Sequence, residues 1–181
     1  VNLVSQQIQE RQLQDVHAIN VARFNLGFTE VATVDADGSL VIWSYPDMQK
    51  QASLLGYELT DIDFDQNNEV LYGAISNGDL LRWDFKSDTH EQVGQHDSLL
   101  HSVFRVLPMA GSNRVIVWGT ISSSLEVWNT SKQQIEKDLS NFNGFISGLQ
   151  LLPDERSIII DSSYQNGRQY SLPDGQFLNE V

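Results

Sequence analysis

Short apolar runs alternate with turn dipeptides along the chain. Asp37-Gly38 leads into the run Leu40 to Trp43, and Asn77-Gly78 leads into Leu80 to Trp83. Both dipeptides accept a positive φ at low steric cost and strongly favour two-residue β-hairpins. Residues 5–14 have a helix-like composition, but no segment keeps an apolar period of 3.6 residues over ten or more positions. The pattern therefore predicts an all-β chain of hairpins.

The apolar runs recur with a nearly constant period. Trp43, Trp83 and Trp128 are 40 and 45 residues apart, and Leu172 follows after 44 more. Ser122-Ser123 and Asn166-Gly167 occupy the turns before the third and fourth runs. The strands that open the units give a second register, spaced by 40, 42 and 45 residues: Phe24, Phe64, Val106 and Leu151. Two registers that share one period predict a repeat protein.

The run that ends at each tryptophan position is apolar on both sides of the predicted strand. Val41 and Trp43 point to one side, while Leu40 and Ile42 point to the other. A sheet with one wet face would alternate apolar and polar residues, so each sheet is expected to be covered on both faces. Four short strands repeating every 40 to 45 residues are typical of β-propeller blades.

The repeat divides the chain into four complete blades, 16–55, 56–95, 96–140 and 141–181. Leu3 lies 21 residues before Phe24, and Trp43 lies 21 before Phe64. Residues 1–15 are therefore predicted to form the outer half of a preceding blade, within a single partial propeller spanning 1–181.

These residues resemble the WD-repeat family over essentially the whole chain. Trp83-Asp84 matches the signature dipeptide, and Gly94-Gln95-His96 resembles a stretched Gly-His opening. Residues 149–154 resemble the first strand and the turn that follows it. The resemblance implies that Asp37, six residues before Trp43, hydrogen-bonds a histidine. The repeat framework then comprises Asp37, Gly38, Trp43, Asn77, Gly78, Trp83, Asp84, Trp128, Asn166 and Gly167.

The resemblance also implies that further blades surround this segment, because propellers of this family usually have about seven blades. Four blades would expose an apolar face at each end of the stack, which monomers rarely tolerate. The chain begins with Val1 and in the middle of a predicted blade. It is therefore expected to be a segment of a longer protein, whose remaining blades, or a second copy, cover these faces.

Charge and composition limit the classes of partner and site that the chain is expected to have. The 24 acidic and 11 basic residues give a formal charge of −13, which disfavours binding to nucleic acid. No apolar run is long enough to span a membrane. The absence of cysteine excludes disulfides and cysteine-ligated zinc. It leaves the compartment open, with the cytoplasm favoured.

Motifs for chemistry are absent or incomplete. The acidic segment 61–69 resembles a calcium loop, but Gln66 stands where such a loop needs glycine and Tyr72 where it needs glutamate. A solvated strand face followed by a turn is the preferred interpretation. The four histidines lack zinc-binding spacing: His17, His90, His96 and His101. The sequence also lacks a nucleophile elbow and a phosphate-binding glycine motif. No cofactor, metal or enzymatic activity is therefore expected.

The predicted function is a protein-interaction scaffold. In the family, partners dock on loops that here correspond to 35–38, 76–78, 121–124 and 164–167, with 15–17, 56–58, 95–98 and 141–145 between blades. Aromatic and histidine side chains on these loops are the candidate anchors, although each could instead pack between blades: Tyr57, His96, Phe142, Phe145 and Tyr164. Two alternatives remain open, an enzymatic or small-ligand propeller and a purely structural segment that completes a larger ring.

Overall fold

The described part of the chain is built entirely from β-strands and turns. The computed structural model describes residues 17–67, 69–95, 104–119, 123–139, 144–154, 156–172 and 174–181. In chain order the strands are β1 (Ile19–Phe24), β2 (Glu30–Asp35), β3 (Leu40–Ser44), β4 (Lys50–Leu54), β5 (Leu59–Phe64), β6 (Leu71–Ile75), β7 (Asp79–Asp84), β8 (Thr89–Gln95), β9 (Phe104–Pro108), β10 (Arg114–Gly119), β11 (Leu125–Asn129), β12 (Gln134–Asp138), β13 (Ile146–Leu151), β14 (Ser157–Ser162), β15 (Gln165–Ser171) and β16 (Phe177–Glu180).

The strands group into four antiparallel sheets of four strands each. Each sheet takes its strands in chain order, from β1-β2-β3-β4 to β13-β14-β15-β16. This confirms the predicted all-β fold with propeller-type blades, and the four sheets do not close into a ring. No helix within the described ranges has the length and hydropathy needed to cross a membrane. The half-blade predicted for 1–15 lies outside the described residues.

Apolar side chains fill the space between successive sheets. Leu40 and Ile42 of the first sheet join Ile62 and Trp83 of the second in one cluster, and all four side chains are fully buried. A second cluster joins the second and third sheets, and a third joins the third and fourth. Val41 and Trp43 lie in a separate buried cluster on the opposite face of the first sheet. Both faces of that sheet are thus apolar and buried. Burial is favourable because it removes these apolar side chains from water.

The first two hairpins are one residue longer than the sequence predicts. The Gly38 N–H donates to the Asp35 carbonyl at 3.0 Å, and the Gly78 N–H donates to the Ile75 carbonyl at 2.9 Å. Both glycines have positive φ, 77° and 95°. The Asp35 carboxylate accepts the backbone N–H groups of Asp37 and Ser39. This side-chain capping stabilises a three-residue turn with glycine in the left-handed position.

The fourth sheet departs further from the predicted register. Asn166-Gly167 lies inside β15, and the turn is formed by Ser163 and Tyr164. Ile158 pairs with Tyr170 as Val115 pairs with Trp128, so Tyr170 occupies the tryptophan position that the sequence assigned to Leu172. The prediction was wrong because the turn lies at Ser163 and Tyr164, before Asn166-Gly167, and pairing with β14 from that turn sets the register.

In the third sheet, the residue equivalent to Phe24 also differs from the prediction. Pro108 pairs with Val115 as Phe24 pairs with Val31, so Pro108, rather than Val106, is equivalent to Phe24.

The outward face of the fourth sheet is largely polar. Gln169 and Gly167 occupy the positions of Ile42 and Leu40, and exposed Asp161 lies on the paired strand. The Gln169 amide donates to the Ser157 hydroxyl at 2.9 Å. Polar side chains therefore interrupt the apolar face expected at this end of the stack, where Ile159 and Val181 lie beside Gly167.

Candidate functional site

The loops lie at two ends of each sheet. We call the end with the β2–β3 and β4–β5 connections, and their equivalents in later sheets, the upper end. The end with the β1–β2 and β3–β4 connections and their equivalents is the lower end. Antiparallel pairing places successive turns at opposite ends of a sheet. The three predicted anchors within the described residues, Tyr57, Phe145 and Tyr164, lie at the upper end.

The structure separates the predicted anchors into different environments. Tyr57 is half-buried against the core between the first two sheets, and its ring meets that of His90 at 5.8 Å. Phe145 and Tyr164 are 51% and 76% exposed on the fourth sheet. They lie close together, since the Phe145 N–H donates to the hydroxyl of Ser163 at 3.0 Å. His96 and Phe142 lie outside the described residues.

The indole groups have different partners in different sheets. The Trp43 N–H donates to the Thr33 hydroxyl at 2.8 Å, while Trp128 donates to the Glu126 carboxylate at 2.7 Å. In the third sheet, Val117 is equivalent to Thr33 of the first. Both residues pair with the residue that lies two positions before the tryptophan of their sheet. Each indole therefore takes its hydrogen-bond acceptor from whatever polar side chain the local sequence supplies.

The first sheet also contains the aspartate–histidine contact that the WD-repeat resemblance implies. His17 Nδ1 lies 2.6 Å from Asp37 Oδ2 and 3.7 Å from Asp35 Oδ2. His17 and Asp37 are mostly exposed, with side chains 67% and 62% accessible. The contact joins the start of β1 to the β2–β3 turn at the upper end.

Asp61 joins three sheets, which corrects the solvated strand face predicted for it. Its side chain is only 2% exposed. Asp61 Oδ1 accepts from Arg23 of the first sheet at 2.8 Å and from Arg105 of the third at 3.3 Å. Asp61 Oδ2 accepts the Val106 N–H at 3.2 Å. Alternation placed the residue on the polar side of its strand, but the neighbouring sheet covers that side.

Asp63, two residues along the same strand, has a different electrostatic environment. Burial raises its pKa to about 6, while the Phe64 N–H and Arg23 oppose the shift. Burial also raises the pKa of Asp61, against the opposing effect of its two arginines. Within the described ranges, no group of three or more histidine or acidic side chains is arranged to hold a metal ion.

A cluster of aromatic side chains at the lower end of the first sheet was missed by the sequence analysis. We call Phe24, Phe28 and Tyr45 the aromatic corner. Phe24 is 5.8 Å from Phe28 and 5.2 Å from Tyr45, measured between ring centroids. The three side chains are 46%, 65% and 46% exposed. Together they present roughly 300 Å² of aromatic surface.

Two loops hold the aromatic corner in place. The buried Asn25 side chain accepts the N–H groups of Thr29 and Glu30, and its amide donates to both of their side chains. The Tyr45 N–H donates to the Thr29 carbonyl at 2.7 Å, which ties the β3–β4 loop to the β1–β2 loop. The exposed rings are therefore carried by a hydrogen-bonded support and lose little conformational freedom on binding.

The second sheet shows what an equivalent pair of rings does when it is covered. Phe64 and Phe85 occupy the positions of Phe24 and Tyr45, and their rings meet at 5.9 Å. Both are buried, at 6% and 7% exposure, in the cluster between the first and second sheets. The position thus accepts an apolar protein surface where one is available.

Phe28 also has an unusual backbone conformation. Its φ is 52°, in the left-handed region that bulky side chains rarely adopt. Counted from the equivalent turn hydrogen bond, the turn of the third sheet has the polar residue Ser112 at this position. The available sequence signal was Leu-Gly-Phe at 26–28, an apolar group inside a turn where polar residues are usual.

Comparison with known proteins adds no assignment. No model of a known protein family matches this chain, and no curated protein sequence matches it significantly.

Proposed function

We propose that this chain is a protein-interaction scaffold built from propeller-type blades that resemble WD repeats. The observation that carries the proposal is the aromatic corner, a preorganised and exposed set of rings at the lower end of the first sheet. Large aromatic groups dominate binding energy at protein interfaces because they bury much area with few rotatable bonds. The patch falls within the size range of functional patches on monomeric proteins.

The Asp61 cluster supports a structural role rather than catalysis. Both oxygens of its carboxylate accept hydrogen bonds from neighbouring sheets. A general base needs a free lone pair within reach of a substrate proton. The enzymatic alternative therefore gains no support from this cluster.

The purely structural alternative is favoured by one observation, the burial of Phe64 and Phe85 at the equivalent corner of the second sheet. In that alternative, a further blade covers Phe24 and Tyr45 in the same way. The two functions differ in what removal of the rings affects. A scaffold variant loses partners while its assembly is unchanged, whereas a structural variant changes the assembly itself.

The test compares the proteins retained by immobilised wild-type chain with those retained by Phe24→Ser and Phe28→Asn variants. Phe177→Ser, which removes a ring that is 53% exposed on the fourth sheet, is the matched control. The proposal expects a defined set of proteins to be lost from the corner variants and kept by the control. Identical sets for all four chains would refute it.

A further inference from the structure

We infer that the aromatic corner receives a short segment of a partner protein in which apolar side chains are flanked by lysine or arginine. This inference rests on the proposed scaffold function and identifies the chemistry of its partner. It follows from the small size of the exposed corner, from the charge around it and from the polar outer face of the fourth sheet.

The size of the corner favours a segment over a whole blade. Val31, Val41 and Trp43 lie on the first sheet and are already buried, at 5%, 9% and 5% exposure. The exposed rings are confined to the lower edge of that sheet. A surface of roughly 300 Å² accommodates a few side chains, whereas a stable domain interface needs about 800 Å² from each partner.

The charge at this end favours a basic partner. The lower-end loops and strand ends of the first two sheets carry six carboxylates and two lysines: Glu30, Asp47, Asp65, Glu69, Asp84 and Asp88, with Lys50 and Lys86. Stacked sheets lie about 10 Å apart, so an extended segment of a few residues can reach from the corner to the second sheet. Asp65 and Glu69 there line a cleft of about 390 Å³ between the second and third sheets, against a single cation, Arg82, among the lining residues described.

A second copy of the chain does not supply the complementary surface by head-to-tail stacking. The face that would meet the first sheet in such a stack is the outward face of the fourth sheet. It presents Asp161 and Gln169 among Ile159 and Val181, so its apolar row is interrupted. An acidic side chain placed against the rings would be desolvated without a partner.

The test uses fluorescence anisotropy with three labelled peptides. The first alternates leucine and phenylalanine with lysine, the second has glutamate in place of lysine, and the third has serine in place of the apolar residues. Wild-type chain is expected to bind the first peptide at least about tenfold more tightly than either of the others. Its affinity should fall about fivefold when salt is raised from low to high concentration.

Two variants locate the binding. Phe28→Asn removes the ring but keeps a residue that tolerates the left-handed conformation, so its thermal unfolding should match that of wild type. It is expected to weaken binding of the apolar lysine peptide about tenfold and to leave the serine peptide unaffected. Asp47→Asn with Glu69→Gln should weaken the same peptide about threefold, and Phe177→Ser, which removes a half-exposed ring from the fourth sheet, should not alter it.

The inference is overturned if the glutamate peptide binds as well as the lysine peptide, if Phe28→Asn binds like wild type, or if no peptide binds. It is also overturned if sedimentation shows a wild-type dimer that Phe28→Asn dissociates, since a second copy would then occupy the corner. In each case the scaffold function is judged separately by the proteins that the corner variants fail to retain.

Discussion

Removing the Asp61 carboxylate is expected to loosen three sheets at once. In Asp61→Ala, the Val106 N–H loses its acceptor inside the protein, which costs about 1 to 3 kcal/mol. Arg23 and Arg105 also lose their shared acceptor, but their side chains are 37% exposed and can be rehydrated. Each arginine is therefore assigned no more than about 1 kcal/mol. The predicted loss is about 3 kcal/mol from a total of roughly 5 to 15 kcal/mol.

The loss can be measured by urea unfolding followed through tryptophan fluorescence and circular dichroism. For a chain of this size it corresponds to a decrease in Tm of roughly 6 to 12 °C. Asp63→Asn is the comparison variant on the same strand, because the Asp63 carboxylate accepts the neighbouring Phe64 N–H and its removal is expected to raise stability rather than lower it. Arg23→Gln and Arg105→Gln should each lose about 1 kcal/mol, because each breaks one of the two ion pairs.

A loss below about 1 kcal/mol for Asp61→Ala would refute the reasoning. The carboxylate would then not couple the sheets, whatever hydrogen bonds it accepts. A normal transition for the fourth sheet with early loss of the first three would instead support the coupling, because Asp61 contacts only those sheets.

Three further changes test other parts of the fold. Asp63 has a pKa of about 6 when folded against 3.8 when unfolded, so the folded state binds more protons between these values and stability falls as pH rises through this window. Asp63→Asn should remove that dependence and gain on the order of 2 to 3 kcal/mol at pH 7, as measured by urea unfolding across pH. Trp43→Phe should lose about 1 kcal/mol, and a double-mutant cycle with Thr33→Val should show that most of the loss belongs to their hydrogen bond. Gly38→Ala should cost more than Gly111→Ala in thermal unfolding, because an added Cβ meets a backbone carbonyl at the first glycine and open space at the second. Equal costs at the two glycines would contradict this steric account.

The sequence alone was sufficient to predict the type of fold. Apolar residues on both sides of the Leu40 to Trp43 run predict burial on both faces: the second sheet covers Leu40 and Ile42, and Val41 and Trp43 are buried on the other side. The period of the tryptophans predicted where units repeat, because each unit must bury the same faces. Local backbone preference also placed Gly38 and Gly78 in turns with positive φ.

The fourth sheet shows the limit of local signals. Asn166-Gly167 is a strong turn dipeptide, yet it lies within β15 because pairing with β14 and the bulge beside it take priority. A register shift of this kind depends on two strands together, so neither strand's sequence specifies it alone.

Tertiary structure decided both which polar residue of the site is buried and which aromatic residue is exposed. Asp61 follows the alternation of an exposed strand residue, and only the approach of the third sheet buries it and supplies Arg105 and the Val106 N–H. Phe24 has the pattern of a core residue like Phe64, yet it is half-exposed, whereas Phe64 is buried between the first and second sheets. Periodicity determines which side of a strand a side chain occupies, whereas burial depends on what packs against that side, which is set by contacts between residues far apart in the chain.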